Sequence, residues 1–194
     1  MSQISISPNA QEGDIYFQGS WAEAYSGTTG TLLKLAADNQ TFYSVLSTIY
    51  YIHRGFIAFP LTSIPAGSVV TAVHLKMRIT LDSGMTGYFN LGTQSDTLVA
   101  DDYNNVTTTN YATLAGDGAT SYRDITFNDA GIAYIQAIIG GTAKFCIRSN
   151  YDENNIAPAP GGTAQWWNQT YATVSERPLL VVTIRDSSFL MNFV

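Results

Sequence analysis

Residues 53–77 read HRGFIAFPLTSIPAGSVVTAVHLKM, and their pattern decides the fold class. In RGFIAFPL, Phe56 and Ala58 alternate with Ile57 and Phe59, so both faces are apolar, as in a strand buried on two sides. Pro60 has no N–H to give to a ladder and belongs at an edge, a bulge or a strand end. In SIPAGS, Pro65 presets φ and Gly67 supplies positive φ, which makes a turn. SVVTAVHLKMRITL then alternates. Val69, Thr71, Val73, Leu75, Met77 and Ile79 fall on one face, and Val70, Ala72, His74, Lys76 and Arg78 fall on a face turned to water. The whole reads as a framework hairpin whose job is to hold a sheet.

Similar segments recur on either side. GDIYFQGS, TGTLLKLAAD, TFYSVLSTIYYI, TGYFNLGTQ, SYRDITF, TAKFCIRS, AQWWNQTYA and PLLVVTIRD are rich in β-branched and aromatic residues and are bounded by Gly, Asn, Asp or Pro. With the two strands above they give roughly ten strands. NDAGIAYIQAIIGG is the exception. Asn128 suits a helix N-cap, Ile132, Ile135, Ile138 and Ile139 fall at helical spacing, and Gly140 and Gly141 supply a stop. One short helix among antiparallel strands predicts an all-β sandwich with a crossover helix, not a βαβ array. No composition break marks a linker. The predicted organisation is an extended arm over 1–12, one sandwich domain over 13–185 and an apolar tail over 186–194.

The chain has 194 residues, enough for one domain with a sizeable core. Hydrophobic residues make up 45% and charged residues only 12%, with Thr, Ser, Asn, Gly and Tyr filling the gap. A net charge of −6 and nine scattered basic residues exclude a phosphate-binding surface for nucleic acid and a polybasic membrane patch. Cys146 is alone, so no internal disulfide forms, and between Phe145 and Ile147 it reads as a strand thiol. MSQISISPNAQEGD lacks the basic and apolar regions of a secretory signal, and no run approaches the ~18 apolar residues of a membrane span. The expectation is a protein made and kept in a cytoplasm unless it leaves by lysis, within a particle or by a non-classical route.

The order EGDIYFQGSW, RGFIAFPLTSIPAGSVVTAVHLKM, FNDAGIAYIQ, GTAKFCIRSNYDENN and ERPLLVVTI resembles the DNRLRE-type jelly-roll modules. In that family a unit of the form RgflrFdlssiPagatvtsAtL pairs two core strands, and the last strand reads RPkLvVty. Arg54, Phe56, Phe59, Ile64, Pro65 and Gly67 match the first unit, and Arg177, Pro178, Leu180 and Val182 the second. Pro60 departs from the pattern where the family carries an acidic residue. The resemblance covers roughly Gly13 to Ile184 and implies a jelly-roll sandwich of the carbohydrate-binding-like kind.

Chemistry in such a chain would come from its carboxylates. Asp101 and Asp102, Asp124, Asp129, and Asp152 and Glu153 lie in predicted loops or at the helix start, where solvated acids are common; a glycosidase needs two of them a few ångströms apart. Calcium is the better second reading: ADDYNN and NYDENN are oxygen-rich, with Asp101, Asp102, Asp152 and Glu153 as weak candidate ligands, although neither loop follows a fixed signature. His53 and His74 have no Cys or Glu at zinc spacing. There is no phosphate loop and no nucleophile elbow, so no catalytic residue is assigned and no enzyme is expected.

Binding then rests on aromatics. Trp166 and Trp167 put one ring on each face of a strand, and Tyr103, Tyr151 and Tyr171 join them as candidate contacts for a glycan or a protein partner. Tyr50, Tyr51 and Tyr111 are further candidates, against the plain alternative that such rings fill a sandwich core. Phe189, Leu190, Met191, Phe193 and Val194 form a tail apolar enough to pack on the sandwich or on a neighbour, and are the candidate assembly contacts. The favoured expectation is a virion structural protein of a tailed phage, a capsid decoration protein or tail or fibre component, homo-oligomeric and touching capsid or tail proteins. The alternative is a stand-alone carbohydrate-binding module for cell-surface or extracellular glycans.

Overall fold

The computed structural model describes residues 1–9, 13–33, 40–41, 43–46, 49–82, 84–158, 164–166 and 173–185. Trp167, Tyr171 and the tail from Phe189 to Val194 lie outside them. Thirteen strands form among the described residues, in two antiparallel sheets that enclose one apolar core. The all-β sandwich read from the sequence is the observed architecture.

The six-stranded sheet runs β1 (Ser2–Ile6), β13 (Leu179–Arg185), β7 (Val69–Asp82), β12 (Ala164–Trp166), β4 (Gln40–Thr41), with β10 (Tyr122–Thr126) also on β7. The seven-stranded sheet runs β3 (Thr31–Leu33), β2 (Gly13–Gly19), β6 (Ile49–Pro60), β11 (Thr142–Ser149), β8 (Gly87–Gly92), β9 (Val106–Leu114), with β5 (Tyr43–Leu46) on β6. Residues 2–6, expected as an arm, are thus a full strand paired with β13 along its length.

The 53–77 unit needs a correction. β6 and β7 are consecutive but belong to different sheets, so the unit is an arch over the end of the sandwich and not a hairpin. The eight residues 61–68 are too many for a tight hairpin loop, and two of them, Leu61 and Ile64, are buried in the core, which carries the chain from one sheet to the other. The turn chemistry holds: Gly67 has φ 80°, and the Ser68 N–H donates to the Pro65 carbonyl at 3.2 Å. Pro60 ends β6, as its missing N–H requires.

β7 also departs from simple alternation. Val73, Leu75, Met77 and Ile79 face the core as expected, but at the start of the strand Val70 is buried and Thr71 is exposed. Thr183 pairs with Ala72 and Ile184 with Val70, so Thr71 is an extra residue in the ladder. This bulge reverses the inside–outside order of everything before it.

Helix α2 (Asp129–Ala137) forms where predicted and crosses from β10 to β11, from one sheet to the other. Asn128 caps it, its side chain accepting from the Gly131 N–H at 2.9 Å, and Ile135 is fully buried. Two more short helices were not foreseen. α1 (Trp21–Ser26) starts with a capping box between Ser20 and Glu23, and α3 (Asn150–Asn154) is capped by Ser149. With a 3₁₀ helix at Ala100–Asn104 they build a third layer on the outer face of the seven-stranded sheet. That layer explains the doubly apolar pattern of β6: Ile57 and Phe59 point into the main core, and Ile52 and Phe56 point outward into a second cluster with Ile15, Ala24, Leu98, Tyr103 and Cys146.

Candidate functional site

The largest concentration of polar chemistry lies under this third layer. Arg54 sits on β6 and is 1% exposed. Its Nε and Nη2 donate to the two carboxylate oxygens of Asp152, each at 2.8 Å, in a bidentate fork. Nη2 also donates to the Tyr25 carbonyl at 3.2 Å, and Nη1 donates to the Tyr103 carbonyl at 3.1 Å and to Asn104 Oδ1 at 3.2 Å. The guanidinium lies 4.2 Å from the centre of the Tyr103 ring. One residue therefore ties the sheet to α1, to the 3₁₀ helix and to α3. Burial opposes its charge, but the Asp152 carboxylate outweighs burial and holds the guanidinium protonated.

Arg148, next to it on β11, places Nε 3.9 Å from Asp152 and pairs with Glu153, whose carboxylate also accepts from the Asn90 amide at 3.2 and 3.3 Å. Asp102 faces the other way. It accepts from the Ser95 N–H and the Val99 N–H, each at 2.9 Å, from Asn105 Nδ2 at 2.6 Å and from Ser95 Oγ at 3.1 Å. Burial pushes its carboxyl up, and these four donors more than reverse the push, leaving it below the usual carboxylate range. Asp101 accepts from Thr29 Oγ1 at 2.7 Å.

The four weak calcium candidates are thus each engaged by protein donors, and Asp152 and Glu153 are neutralised by arginines. Among the described residues no three His, Cys, Asp or Glu side chains converge as a metal-ligand group. Asp152 and Glu153 tie α3 to the sheet, and Asp102 braces its own loop, while Asp124 stays at the surface beside His74 and Lys76.

The aromatic candidates separate. Tyr103 is fully buried, and its hydroxyl donates to the Ala24 carbonyl at 2.7 Å, so it is not a surface contact. Its ring is needed under Arg54, which is why a tyrosine in an oxygen-rich loop turns inward. Tyr111 is also core, stacked on Tyr134 with centroids 4.8 Å apart. Tyr151 is half-buried against the main core. The Trp166 backbone belongs to β12, beside β7 and β4. Cys146 is completely buried in the outer cluster, and burial pushes its thiol up to about 12.

Two polar groupings escaped the sequence reading. Asp14 on β2 and His53 on β6, diagonal neighbours two residues out of register, join through Asp14 Oδ2 and His53 Nδ1 at 2.7 Å, with Tyr16, the register partner of His53, stacked on the imidazole. On the outer face of the six-stranded sheet, Asp124 meets His74 at 2.7 Å and Lys76 at 3.7 Å. Beside them a cleft of about 270 Å³ runs across the sheet end, lined by Ser7, Pro8, Tyr122, Val174, Arg177 and Leu179 among others. Tyr122 and Val174, 40% and 69% exposed, are two of the few large apolar side chains left in solvent among the described residues. Only strand pairing brings these groups together, and nothing in their spacing along the chain announces it. No protein-family model matches the chain, and no curated protein matches it either.

Proposed function

We propose that this chain is a non-enzymatic structural protein of a tailed-phage virion, a capsid decoration protein or a tail or fibre component, working in contact with capsid or tail proteins. One observation carries the reading: Asp152 and Glu153 are engaged by strand residues that fasten a third layer onto the sandwich, and Asp102 is engaged by donors that brace a loop of that layer. That use suits a part selected for rigidity. The charge-poor, Thr- and Tyr-rich composition and the resemblance to jelly-roll modules point the same way. The test is to purify particles from a lysate of the host that carries the gene, identify their proteins by mass spectrometry and label the particles with an antiserum to this chain. Stoichiometric recovery with regular labelling on shell or tail supports the proposal. Recovery only in the soluble fraction overturns it.

A second reading, glycan binding, is favoured by the Tyr122 cleft, where an exposed ring lies beside hydroxyl and guanidinium groups. A glycan array probed with wild type and Tyr122→Ala decides it. Binding that the substitution abolishes supports this reading, and no binding by wild type removes it.

A further inference from the structure

Every open sheet carries edges, and natural sandwiches blunt them with short strands, bulges, charge or cover. Most edges of this molecule are treated so. β3, β4 and β5 are three, two and four residues long. The pairing of β9 with β8 is broken twice, at Phe89/Asn90 and at Asn90/Gly92. β10 carries Arg123 and Asp124, and Phe127, just beyond its end, is bridged to Ala112 of β9. Among the described residues β1 has none of these devices.

β1 is Ser-Gln-Ile-Ser-Ile, paired with β13 in unbroken register from Ser2↔Ile184 to Ile6↔Leu180, and no strand pairs with its other side among the described residues. It has no charge, no proline and no bulge. Half of its N–H and C=O groups point along the sheet away from β13. Its side chains sort cleanly: Ile4 and Ile6 turn to the core, while Gln3 and Ser5 are exposed on the outer face.

We propose that β1 is a self-pairing edge, at which a second copy of this chain joins antiparallel and continues the six-stranded sheet across both molecules. A two-fold axis at Ile4 sets Ile4 beside Ile4, Ser2 beside Ile6, and Gln3 of one copy beside Ser5 of the other. Ile4 then meets Ile4 at the centre of the core side, with Ile6 of each copy beside the exposed Ser2 of the other, and polar meets polar outside. The occupant is a second copy because identical strands bring identical charges together, and this uncharged edge is one where that juxtaposition carries no repulsion. Pro8, lacking an N–H, ends the pairing just beyond Ile6. The inference does not depend on the virion reading, since the edge pairs or does not pair whatever particle the chain serves.

The test uses the full chain and two charge variants, Gln3→Lys with Ser5→Lys, and Gln3→Glu with Ser5→Glu. Both positions are exposed, so β1 stays on β13 while like charges meet across the seam. Light scattering at micromolar concentration should give wild type a mass near twice 21.1 kDa and each variant the single-chain mass. An equimolar mixture should return the dimer, and native mass spectrometry should find one copy of each variant in it. That rescue cannot arise from misfolding. A monomeric wild type overturns the proposal, as does a lysine variant that remains dimeric or a mixture that stays monomeric.

Discussion

At the scale of single residues, Arg54 is the side chain on which the outer layer depends. Replacing it by Met leaves the Asp152 carboxylate buried without its fork, a change that typically removes about 3–5 kcal/mol. Urea denaturation of Arg54→Met should show that loss. Arg54→Lys should recover little of it, because an ammonium cannot reproduce the bidentate pair and the three further bonds to Tyr25, Tyr103 and Asn104. The double variant Arg54→Met with Asp152→Leu should regain much of the stability; a double variant no better than the single one would show that the pair is not the source. Asp102 gives a pH signature. Its folded pKa lies below the ordinary 3.8, so its contribution is complete above that value and is lost as pH falls through the lower folded one. Asp102→Asn should therefore be less stable than wild type near pH 7, with the gap closing below 3.8. A gap that stays constant into strong acid would sink the assignment.

At the scale of elements, the β7 bulge makes a sharp prediction. Deleting Thr71 removes the extra residue and leaves Val70 and Val73 both inward in a regular ladder, at the loss of the Thr71 hydroxyl bond to the Thr183 carbonyl, about 1 kcal/mol. Deleting Lys76, in the regular part of the same strand, turns every inward residue on one side of it outward. Thermal melts should find the first deletion folded and the second unfolded; equal damage would deny Thr71 the role of a spare residue. The same strand shows what could be read from sequence. Alternation from Val73 to Ile79 was legible, and so was the turn at Pro65 and Gly67, because local sterics set both. The bulge was not, because it is set by the partner strand β13. β9 escaped for a related reason: its Thr107–Thr109 run does not alternate, and its pairing with β8 is irregular. The candidate site was the least legible part. Arg54 and Asp152 are 98 positions apart, and Asp152 looked like a solvated loop acid until α3 and the outer layer enclosed it.

At the scale of the whole molecule, the described residues form two apolar clusters, one on each side of the seven-stranded sheet, and they are held differently. The main core is gripped by both sheets and includes Phe59, Phe89, Phe145 and Leu180. The outer cluster is roofed by α1 and the 3₁₀ helix, which Arg54 ties to the sheet and to Asp152 of α3, while the Trp21 indole joins α1 to the end of α3 by donating to Asn155 Oδ1 at 2.9 Å. A layer held by a few polar fasteners should open at lower free energy than sheets held by whole ladders. Cys146 reports on it directly, since its thiol lies in the outer cluster and is fully buried while the layer is closed. Thiol labelling in sub-denaturing urea should therefore give an opening free energy for Cys146 smaller than that of global unfolding, with little dependence on urea because a small area is exposed. Arg54→Lys should lower that opening energy further, while amide exchange in β7 and β13 follows only the global change. Labelling of Cys146 that tracks global unfolding in both proteins would mean that roof and sandwich are one cooperative unit, and that the polar fasteners brace the entire fold.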